Sequence, residues 1–364
     1  MVVAVLSNDS AWTYNLRKEI LCGLIEKGHR VVVIVPDGPK CDLLRELGCE
    51  LHPSSLERHG TNPLKDFKLC VEYIRALKSL APDVVLTYTA KPNIYGGMAC
   101  RLLKIPYLAN ITGLGTALEN AGVLQKVSSL LHRIGLKKAQ MVFFQNTENR
   151  DFMISRKIVT GKHYVLPGSG VNTTHFSPLS YPDEGTVEFV FISRILKEKG
   201  IDQYLDAAEY ITQKYPYTRF HICGFCEPEY EGALQTYIDN GVVIYHGMVS
   251  DTRSILQQTH CTVHPTYYPE GLSNVLLESC ASARPIITTN RSGCREVIDD
   301  GINGYVVRQQ DSRDLIEKIE AFLALSHKER EAMGLAGRAK VEREFDRKFV
   351  VEQYLRETEK IYKV

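Results

Sequence analysis

The stretch "VEFVFISRILKEKG", residues Val187–Gly200, begins a new series of strands and helices in the middle of the chain. Its apolar start is rich in β-branched and aromatic residues and predicts a buried strand, and a helical pattern follows at about 201–214. The preceding segment, 165–186, is rich in Gly, Pro, Ser and Thr, which is typical of a linker. We therefore predict that one domain ends and another begins at this linker.

The same alternation of strands and helices occurs on both sides of the linker. Before it, strand patterns cover 2–6, 30–35, 83–88, 107–111 and 141–145, with helical patterns near 11–27, 40–47, 93–103 and 121–138. After it, further strand patterns cover 219–224, 242–247, 261–265, 285–289 and 304–307. Fully apolar strands joined by crossover helices indicate parallel sheets that are covered on both faces.

These patterns predict an α/β protein of two Rossmann-like, doubly wound domains that face a cleft. We place an N-terminal domain at 1–170 and a C-terminal domain at 171–345. The charged segment 346–364 is predicted to be a helix that packs back on the N-terminal domain. Because ligands of open α/β sheets bind at the carboxyl ends of the strands, we expect the functional residues on the loops that follow them.

Composition and charge exclude several classes of protein. The 364 residues carry 44 Lys and Arg against 43 Asp and Glu, and the resulting net charge of +1 argues against a nucleic-acid-binding protein. Cysteines such as Cys100 and Cys280 lie inside apolar periodic segments, where a free cysteine behaves as a small hydrophobic residue. The apolar runs are far shorter than the roughly 20 residues of a membrane-spanning helix, and no signal-peptide pattern is apparent. We expect a cytoplasmic protein.

Several cofactor and catalytic motifs do not occur. Neither "SNDSAW" (7–12) nor "SRILKEKG" (193–200), which follow the first strand of each domain, contains G-x-G-x-x-G, and this disfavours a nicotinamide dehydrogenase. The sequence has no P-loop and no G-x-S-x-G, which disfavours an NTPase and an α/β-hydrolase. Cys223 and Cys226 form a C-x-x-C without the second pair that zinc would need, so we expect no metal site.

Two basic residues follow the first strand of the C-terminal domain. A guanidinium at Arg194 and an ammonium at Lys199 would suit a diphosphate at this edge of the sheet. Taken alone, the pair is better explained as a solvated basic loop.

The segment "PEGLSN" (269–274) lies between a strand and a helix that we expect to begin near Leu272 or Ser273. The amino end of such a helix offers N–H groups to phosphate, Gly271 permits close approach, and Ser273 and Asn274 are capping types. Glu270 and Glu278 would be about 12 Å apart along a helix, too far for a close carboxylate pair. They could grip two parts of one long ligand, or be an acid near the helix dipole and a surface acid.

Together these segments resemble the retaining glycosyltransferases of the GT-B fold in family 4, also called glycosyltransferases group 1. That family carries R-x-x-x-x-K-G after a strand and, later, E-G-x-x-x-x-x-x-E. The chain has Arg194, Lys199–Gly200, Glu270–Gly271 and Glu278 in the same order and spacing. In the N-terminal domain, residues 88–120 look like those of bacterial members that build capsule, O-antigen and lipid-linked oligosaccharides.

The resemblance implies transfer of a hexose or N-acetylhexosamine from a UDP-sugar, with retained anomeric configuration and without a metal ion or cofactor. It assigns catalysis to Arg194 and Lys199, which would stabilise the leaving diphosphate, and to Glu270, which would face the donor sugar. Glu278 would hold the ribose hydroxyls. Further donor-binding positions are Gly170, His246, Met248, Gly271, Leu272, Ser273 and Asn274.

The resemblance also makes the N-terminal domain the acceptor-binding domain and the C-terminal domain the nucleotide-sugar-binding domain. The implied acceptor is a saccharide or a polyprenyl-diphosphate-linked sugar, in surface polysaccharide biosynthesis. Acceptor-side contacts are expected at Asn8, Ser10, Thr112 and Gly113. The chain departs from the family in its first loop, which lacks two glycines, and in "ITGLG" (111–115), which lacks a histidine.

A basic amphipathic segment indicates where a lipid-linked acceptor could be met. In 124–138, one helical stripe carries Leu124, Val127, Leu131 and Ile134, with Lys126, Arg133, Lys137 and Lys138 beside it. Such a helix can rest on an anionic bilayer, and would make the protein peripheral on the inner face of the cell membrane. Alternatively, the stripe packs on the sheet of its own domain.

Two other functions remain open at the level of the sequence. A UDP-sugar epimerase of similar architecture would need acid and base groups in the cleft and would turn over without an acceptor. A non-catalytic nucleotide-sugar-binding subunit would bind UDP without transferring sugar.

Overall fold

The computed structural model describes residues 1–56, 62–119 and 121–362. Asn120, at the end of the segment that resembles bacterial glycosyltransferases, and residues 363–364 of the predicted C-terminal helix lie outside the described residues. The chain divides into two compact units. Unit 1 comprises Met1–Ser169 together with Arg347–Val364, and unit 2 comprises Gly170–Asp346.

The strands are short and mostly buried, as the apolar patterns predict. They are β1 (Val2–Leu6), β2 (Arg30–Val35), β3 (Glu50–Pro53), β4 (Val84–Tyr88), β5 (Tyr107–Ile111), β6 (Met141–Phe144), β7 (His163–Val165), β8 (Val187–Ile192), β9 (Thr218–Cys223), β10 (Ile244–Tyr245), β11 (Cys261–His264), β12 (Ile286–Thr289) and β13 (Gly304–Val307).

Helices connect the strands and close the chain. They are α1 (Ser10–Glu26), α2 (Cys41–Glu46), α3 (Pro63–Leu80), α4 (Gly97–Leu103), α5 (Thr116–Glu119), α6 (Val123–Leu136), α7 (Thr147–Ser155), α8 (Ile201–Lys214), α9 (Glu231–Asp239), α10 (Arg253–Leu256), α11 (Asn274–Ala281), α12 (Ser312–Leu323), α13 (His327–Glu344) and α14 (Arg347–Tyr362). No helix among the described residues is long and apolar enough to cross a membrane.

Each unit contains one parallel sheet. Across the described residues, the strand order is β3-β2-β1-β4-β5-β6-β7 in unit 1 and β10-β9-β8-β11-β12-β13 in unit 2, and the strands pair in parallel. Both orders follow the Rossmann pattern, in which the direction of strand addition reverses beside the first strand. The reversal falls between β1 and β4 in unit 1 and between β8 and β11 in unit 2. Ligands of such sheets bind at that point.

The core of unit 1 lies on both faces of its sheet. Alternate residues of β1 point to opposite faces: Val3 and Val5 pack with residues of α1 and α14, and Ala4 and Leu6 pack with residues of α3 and α4. Helix α14 is anchored by Tyr354, whose hydroxyl accepts a hydrogen bond from Asn110 Nδ2 at 2.7 Å. The last helix of the chain is thus part of the core of unit 1.

Unit 2 is built in the same way around β8. Phe189 and Phe191 pack with residues of α8 and α12, and Val190 and Ile192 pack with residues of α10 on the other face. The predicted α/β class with two Rossmann-like domains is therefore confirmed, and β8 is the first strand of the second sheet.

One predicted helix differs in the structure. Residues 93–103 are predicted as one helix, but the chain forms a π-helical turn at Pro92–Gly96 before α4. Within this turn, the buried Asn93 accepts from Thr87 Oγ1 at 2.6 Å and donates to the Asn110 carbonyl at 2.8 Å. These contacts anchor the turn to β4 and β5, a tertiary effect that local periodicity does not encode.

Candidate active site

The basic loop after β8 is clamped to the end of β11. Gly200 has a φ of +79°, and a Cβ there would lie 2.2 Å from the Pro265 carbonyl oxygen, so both the backbone conformation and the space require glycine. The Tyr267 amide donates to the Glu198 carbonyl at 2.9 Å. These contacts join the two loops at the strand-order reversal and fix Lys199, in the 3₁₀ turn Lys197–Lys199, beside the loop after β11.

Three predicted catalytic side chains come together at this edge of the sheet. The ammonium of Lys199, a buried residue, donates a hydrogen bond to the Glu270 carboxylate. Both Lys199 and Arg194 lie near the ring of Tyr268, with Lys199 Nζ at 4.7 Å and Arg194 Cζ at 5.8 Å from its centroid. Arg194 is more exposed and lies 3.5 Å from a carboxylate oxygen of Glu227. The site therefore presents one buried and one accessible cation.

A glycine in the next loop holds Glu270 in place. Gly293 has a φ of +90°, and a Cβ there would lie 2.7 Å from the Cβ of Glu270. The Gly293 carbonyl accepts from the Ser273 amide at 2.8 Å. The loop after β12 thus packs against the loop that carries Glu270.

The helix after this loop begins slightly later than predicted. Helix α11 starts at Asn274, and Ser273 occupies the N-cap position with extended backbone angles, φ −74° and ψ 106°. Its hydroxyl accepts no capping hydrogen bond, so its predicted capping role is not seen. The Oδ1 atom of Asn274 is buried and has no hydrogen-bond partner among the described residues. Gly271 and Leu272, which belong to the loop before α11, are buried.

Glu278 contacts a different element from Glu270. Its Oε2 accepts from the hydroxyl of Thr252, just before α10, at 3.2 Å. Glu270 instead pairs with Lys199 across the loops after β8 and β11. Glu270 therefore lies in the loop before α11 and Glu278 lies within α11, and each contacts a different partner.

His246 and Met248 follow β10 and are exposed, and His246 belongs to a chain of polar groups. Its Nε2 lies 2.9 Å from His221 Nδ1, and His221 Nε2 lies 2.7 Å from Glu188 Oε2. Burial lowers the pKa of His221, which favours its neutral form. Since the Glu188 carboxylate accepts from Nε2 of His221, Nδ1 of the neutral His221 ring accepts from Nε2 of His246.

Two buried groups beside the catalytic residues are held uncharged. Burial, and then the charge of Lys199, lowers the pKa of His264 to about 3. Neither ring nitrogen of His264 has a hydrogen-bond partner among the described residues. Burial, with Glu270 nearby, raises the pKa of the Cys294 thiol to about 12. Cys294 is therefore a poor candidate for a nucleophile.

The remaining predicted site residues lie at the unit boundary and in unit 1. Gly170, the first residue of unit 2, has a φ of +63°. Asn8 follows β1, and Thr112 and Gly113 follow β5; all three are half-buried at the carboxyl edge of the sheet. Ser10 is buried, and its hydroxyl accepts from the Lys40 amide at 3.4 Å. It packs on the loop after β2 and offers little surface to an acceptor.

Sequence reasoning missed four contributors to the site. Tyr268 and Gly293 act through contacts between loops, and Glu188 and His221 are strand residues whose pairing depends on the register of β8 and β9. The aromatic pair that precedes "PEG" is the one local signal that could have indicated Tyr268.

Known proteins are similar to this chain in sequence and in fold. The family model for glycosyl transferases group 1 matches residues 177–340, and that for glycosyl transferase 4-like matches residues 3–146. The N,N'-diacetylbacillosaminyl-diphospho-undecaprenol alpha-1,3-N-acetylgalactosaminyltransferase of Campylobacter jejuni is 26% identical over 381 residues and covers 100% of both chains. The capsular polysaccharide biosynthesis glycosyltransferase CapM of Staphylococcus aureus is 30% identical over 306 residues, 79% of each chain.

A solved structure gives the same fold at lower identity. Anabaena HepE in complex with UDP-glucose superposes with a TM-score of 0.81 at 15% identity, covering 99% of this chain and 100% of that chain. With its two Rossmann-like sheets and its R-x-x-x-x-K-G and E-G-x-x-x-x-x-x-E motifs at the strand-order reversal, the chain belongs to the glycosyl transferases group 1 family and is a glycosyltransferase of the GT-B fold.

Proposed function

We propose that the protein transfers a hexose or N-acetylhexosamine from a UDP-sugar to a lipid-linked diphosphate acceptor, with retention of anomeric configuration, in surface polysaccharide biosynthesis. The observation that carries the proposal is the contact of Lys199 with Glu270 at the reversal between β8 and β11. If Lys199 binds the donor phosphate and Glu270 faces the sugar, this contact would bring the two groups together beside the bond between phosphate and sugar.

The leaving diphosphate would be held by cations and by a helix start. Lys199 and Arg194 would bind its oxygens, and the amino end of α11 would add its N–H groups. Preorganised positive charge of this kind stabilises the transition state by several kcal/mol. The proposed reaction needs no metal ion, because these groups supply the positive charge. Transfer that continues in excess EDTA would support this part of the proposal, and loss that Mg²⁺ restores would contradict it.

The chemical step would use the donor's own phosphate as base. The bond between the anomeric carbon and the phosphate oxygen breaks, and the acceptor oxygen bonds to the same face of that carbon. The acceptor proton passes to a phosphate oxygen of the leaving UDP. Glu270 would stabilise positive charge that develops on the sugar, and Glu278 would accept hydrogen bonds from the ribose hydroxyls.

Orphaned polar atoms at the site support a bound ligand. Buried polar groups in proteins are nearly always hydrogen-bonded, so unpaired ones call for a partner. Asn274 Oδ1 and the two ring nitrogens of His264 are buried without partners among the described residues, at the start of α11 and the end of β11. Hydroxyls of a donor could satisfy them.

The relatives support the choice of substrates. The Campylobacter enzyme is named for an N-acetylgalactosaminyl transfer to a diphospho-undecaprenol-linked sugar, and its match covers the whole of this chain. CapM is named for capsular polysaccharide biosynthesis. HepE was solved with UDP-glucose, which makes UDP the first nucleotide to test.

A panel experiment tests the proposal. The protein is incubated with individual UDP-sugars, with and without an undecaprenyl-diphosphate-linked sugar, and UDP release and the glycosylated lipid are measured. We expect UDP to be released from one of the donors only when the acceptor is present. The new glycosidic linkage should have the same anomeric configuration, axial or equatorial, as the sugar has in the donor. Turnover of a UDP-sugar without acceptor to a different UDP-sugar would favour an epimerase. Saturable UDP binding without transfer to any acceptor tried would favour a binding subunit.

A further inference from the structure

Helix α6 of unit 1 carries an apolar stripe on its outer face. Val123, Val127, Leu130 and Ile134 follow one another at intervals of four, three and four residues, which places them on one side of a helix. They are 79%, 49%, 54% and 37% exposed. The stripe predicted from the sequence had Leu124 in place of Val123 and Leu131 in place of Leu130; Leu124 is also exposed in the structure, but Leu131 is half-buried. The alternative that the stripe packs on the sheet of its own domain is therefore not what the structure shows.

A different face of α6 attaches the helix to its unit. His132, Gly135 and Leu136 are buried. A Cβ on Gly135 would lie 2.7 Å from backbone atoms of Asn93 and Ile94, so the helix approaches the π-helical turn closely through its glycine. Because this face supplies the packing, the stability of unit 1 does not explain five large exposed apolar residues, Leu124 included, on one 14-residue helix.

The charged side chains of the segment that carries the stripe are all basic. The segment 121–147 contains Lys126, Arg133, Lys137 and Lys138 but no Asp or Glu, in a chain whose net charge is +1. The three lysines are exposed. In the last turn of α6, the Arg133 guanidinium donates to the Arg156 carbonyl at 2.9 Å, which holds the Arg133 charge close to that carbonyl.

We propose that this surface, formed by the α6 stripe and its flanking lysines, docks the protein on an anionic phospholipid bilayer. A bilayer offers both an apolar interior for the stripe and negative headgroups for the lysines. A second copy of the chain would bring two basic surfaces of the same sign together, which disfavours a symmetric dimer at this face. The inference rests on the proposed function only in that a lipid-linked acceptor gives membrane docking a purpose.

Vesicle flotation tests the proposal with matched variants. The wild-type protein should float with phosphatidylglycerol–phosphatidylcholine vesicles and much less with pure phosphatidylcholine. Leu130→Glu should reduce the bound fraction about tenfold or more, because it puts a charge in the stripe. Leu335→Glu is the control: Leu335 is 52% exposed, also on a helix, but in unit 2, and its variant should float like wild type. Lys137→Gln with Lys138→Gln should weaken binding about 30-fold, roughly fivefold per lysine.

Other results would overturn the proposal. Equal flotation of Leu130→Glu and Leu335→Glu would show that the stripe does not contact the membrane. Equal binding to neutral and anionic vesicles would show that the lysines do not contribute to binding. A concentration-dependent dimer in sedimentation velocity, lost in Leu130→Glu, would assign the stripe to a second copy instead. Thermal stabilisation by UDP is measured in parallel: it should be the same in all these variants, so that a failure of the donor-site proposal is seen separately from a failure of docking.

Discussion

Lys199 donates to the carboxylate of Glu270 across 71 positions of sequence, and the two side chains are 11% and 18% exposed. This pair connects the loop after β8 with the loop after β11, at the place where the strand order of unit 2 reverses. A donor diphosphate would have to share Lys199 with Glu270. Phosphate binding at Lys199 would therefore be coupled to the position of the Glu270 carboxylate.

Replacing Glu270 by glutamine separates catalysis from binding. Glu270→Gln keeps the shape of the side chain but removes its charge, so we expect transfer to fall by about 100-fold. UDP affinity should change by less than about fivefold, because Lys199 is then freed for phosphate. Steady-state transfer and calorimetric UDP titration measure the two effects. An equal loss in both, or a fully active variant, would contradict the sugar-side role of Glu270.

Adding one methyl group at Gly200 should disturb the packing between the loop after β8 and the end of β11. Gly200→Ala meets the Pro265 carbonyl at 2.2 Å in addition to an unfavourable φ of +79°. Gly301→Ala is the matched control, since Gly301 has a φ of +75° but no atom within 4 Å of its added Cβ. We expect Gly301→Ala to lose about 1 kcal/mol of unfolding free energy and Gly200→Ala about 2 to 4 kcal/mol, with reduced UDP binding. Urea unfolding measures both; equal losses would show that the close approach does not matter.

His264 should make the protein less stable in mild acid. Its pKa is about 3 when folded, against 6.5 in the reference state, because it is buried near Lys199. Between these values the unfolded chain binds a proton that the folded chain does not, so stability is lost as pH falls below about 6.5. At pH 5 this amounts to about 2 kcal/mol.

The variant His264→Asn isolates that contribution. Urea unfolding at pH 7.5 and pH 5.0 gives the acid-induced loss for each protein, and the loss should be smaller in the variant by up to about 2 kcal/mol. Histidines with similarly lowered pKa, such as His260 at about 4, are present in both proteins and cancel in the comparison. The same loss in both proteins would mean that His264 becomes protonated in the folded state.

The fold followed from local patterns, whereas much of the site did not. Apolar strands such as Val2–Leu6 and the helix Ile201–Lys214 have the bounds that periodicity predicts, because burial on both sheet faces leaves a continuous apolar run. The motif residues Lys199 and Glu270 could be named from the sequence, but their contact depends on how two loops pack. The crowding of Gly293 against Glu270 is likewise a tertiary property.

The same limit explains the apolar stripe of α6. Its residues are amphipathic in sequence, and most amphipathic helices turn the apolar side inward. In this helix Gly135 permits close packing of another face, so the stripe remains outside. Periodicity locates such a stripe but does not say which side of the helix meets the core.

Calorimetric titration of UDP and of uridine into Lys199→Met tests the central claim most directly. Lys197→Met is the control, since Lys197 lies in the same 3₁₀ turn but is exposed. If Lys199 binds the donor diphosphate, Lys199→Met should weaken UDP binding by about 10- to 100-fold, the range expected for a lost charged hydrogen bond, and leave uridine binding unchanged. Lys197→Met should bind both ligands like wild type. Wild-type affinity of Lys199→Met for UDP would contradict the assignment of this site to the donor.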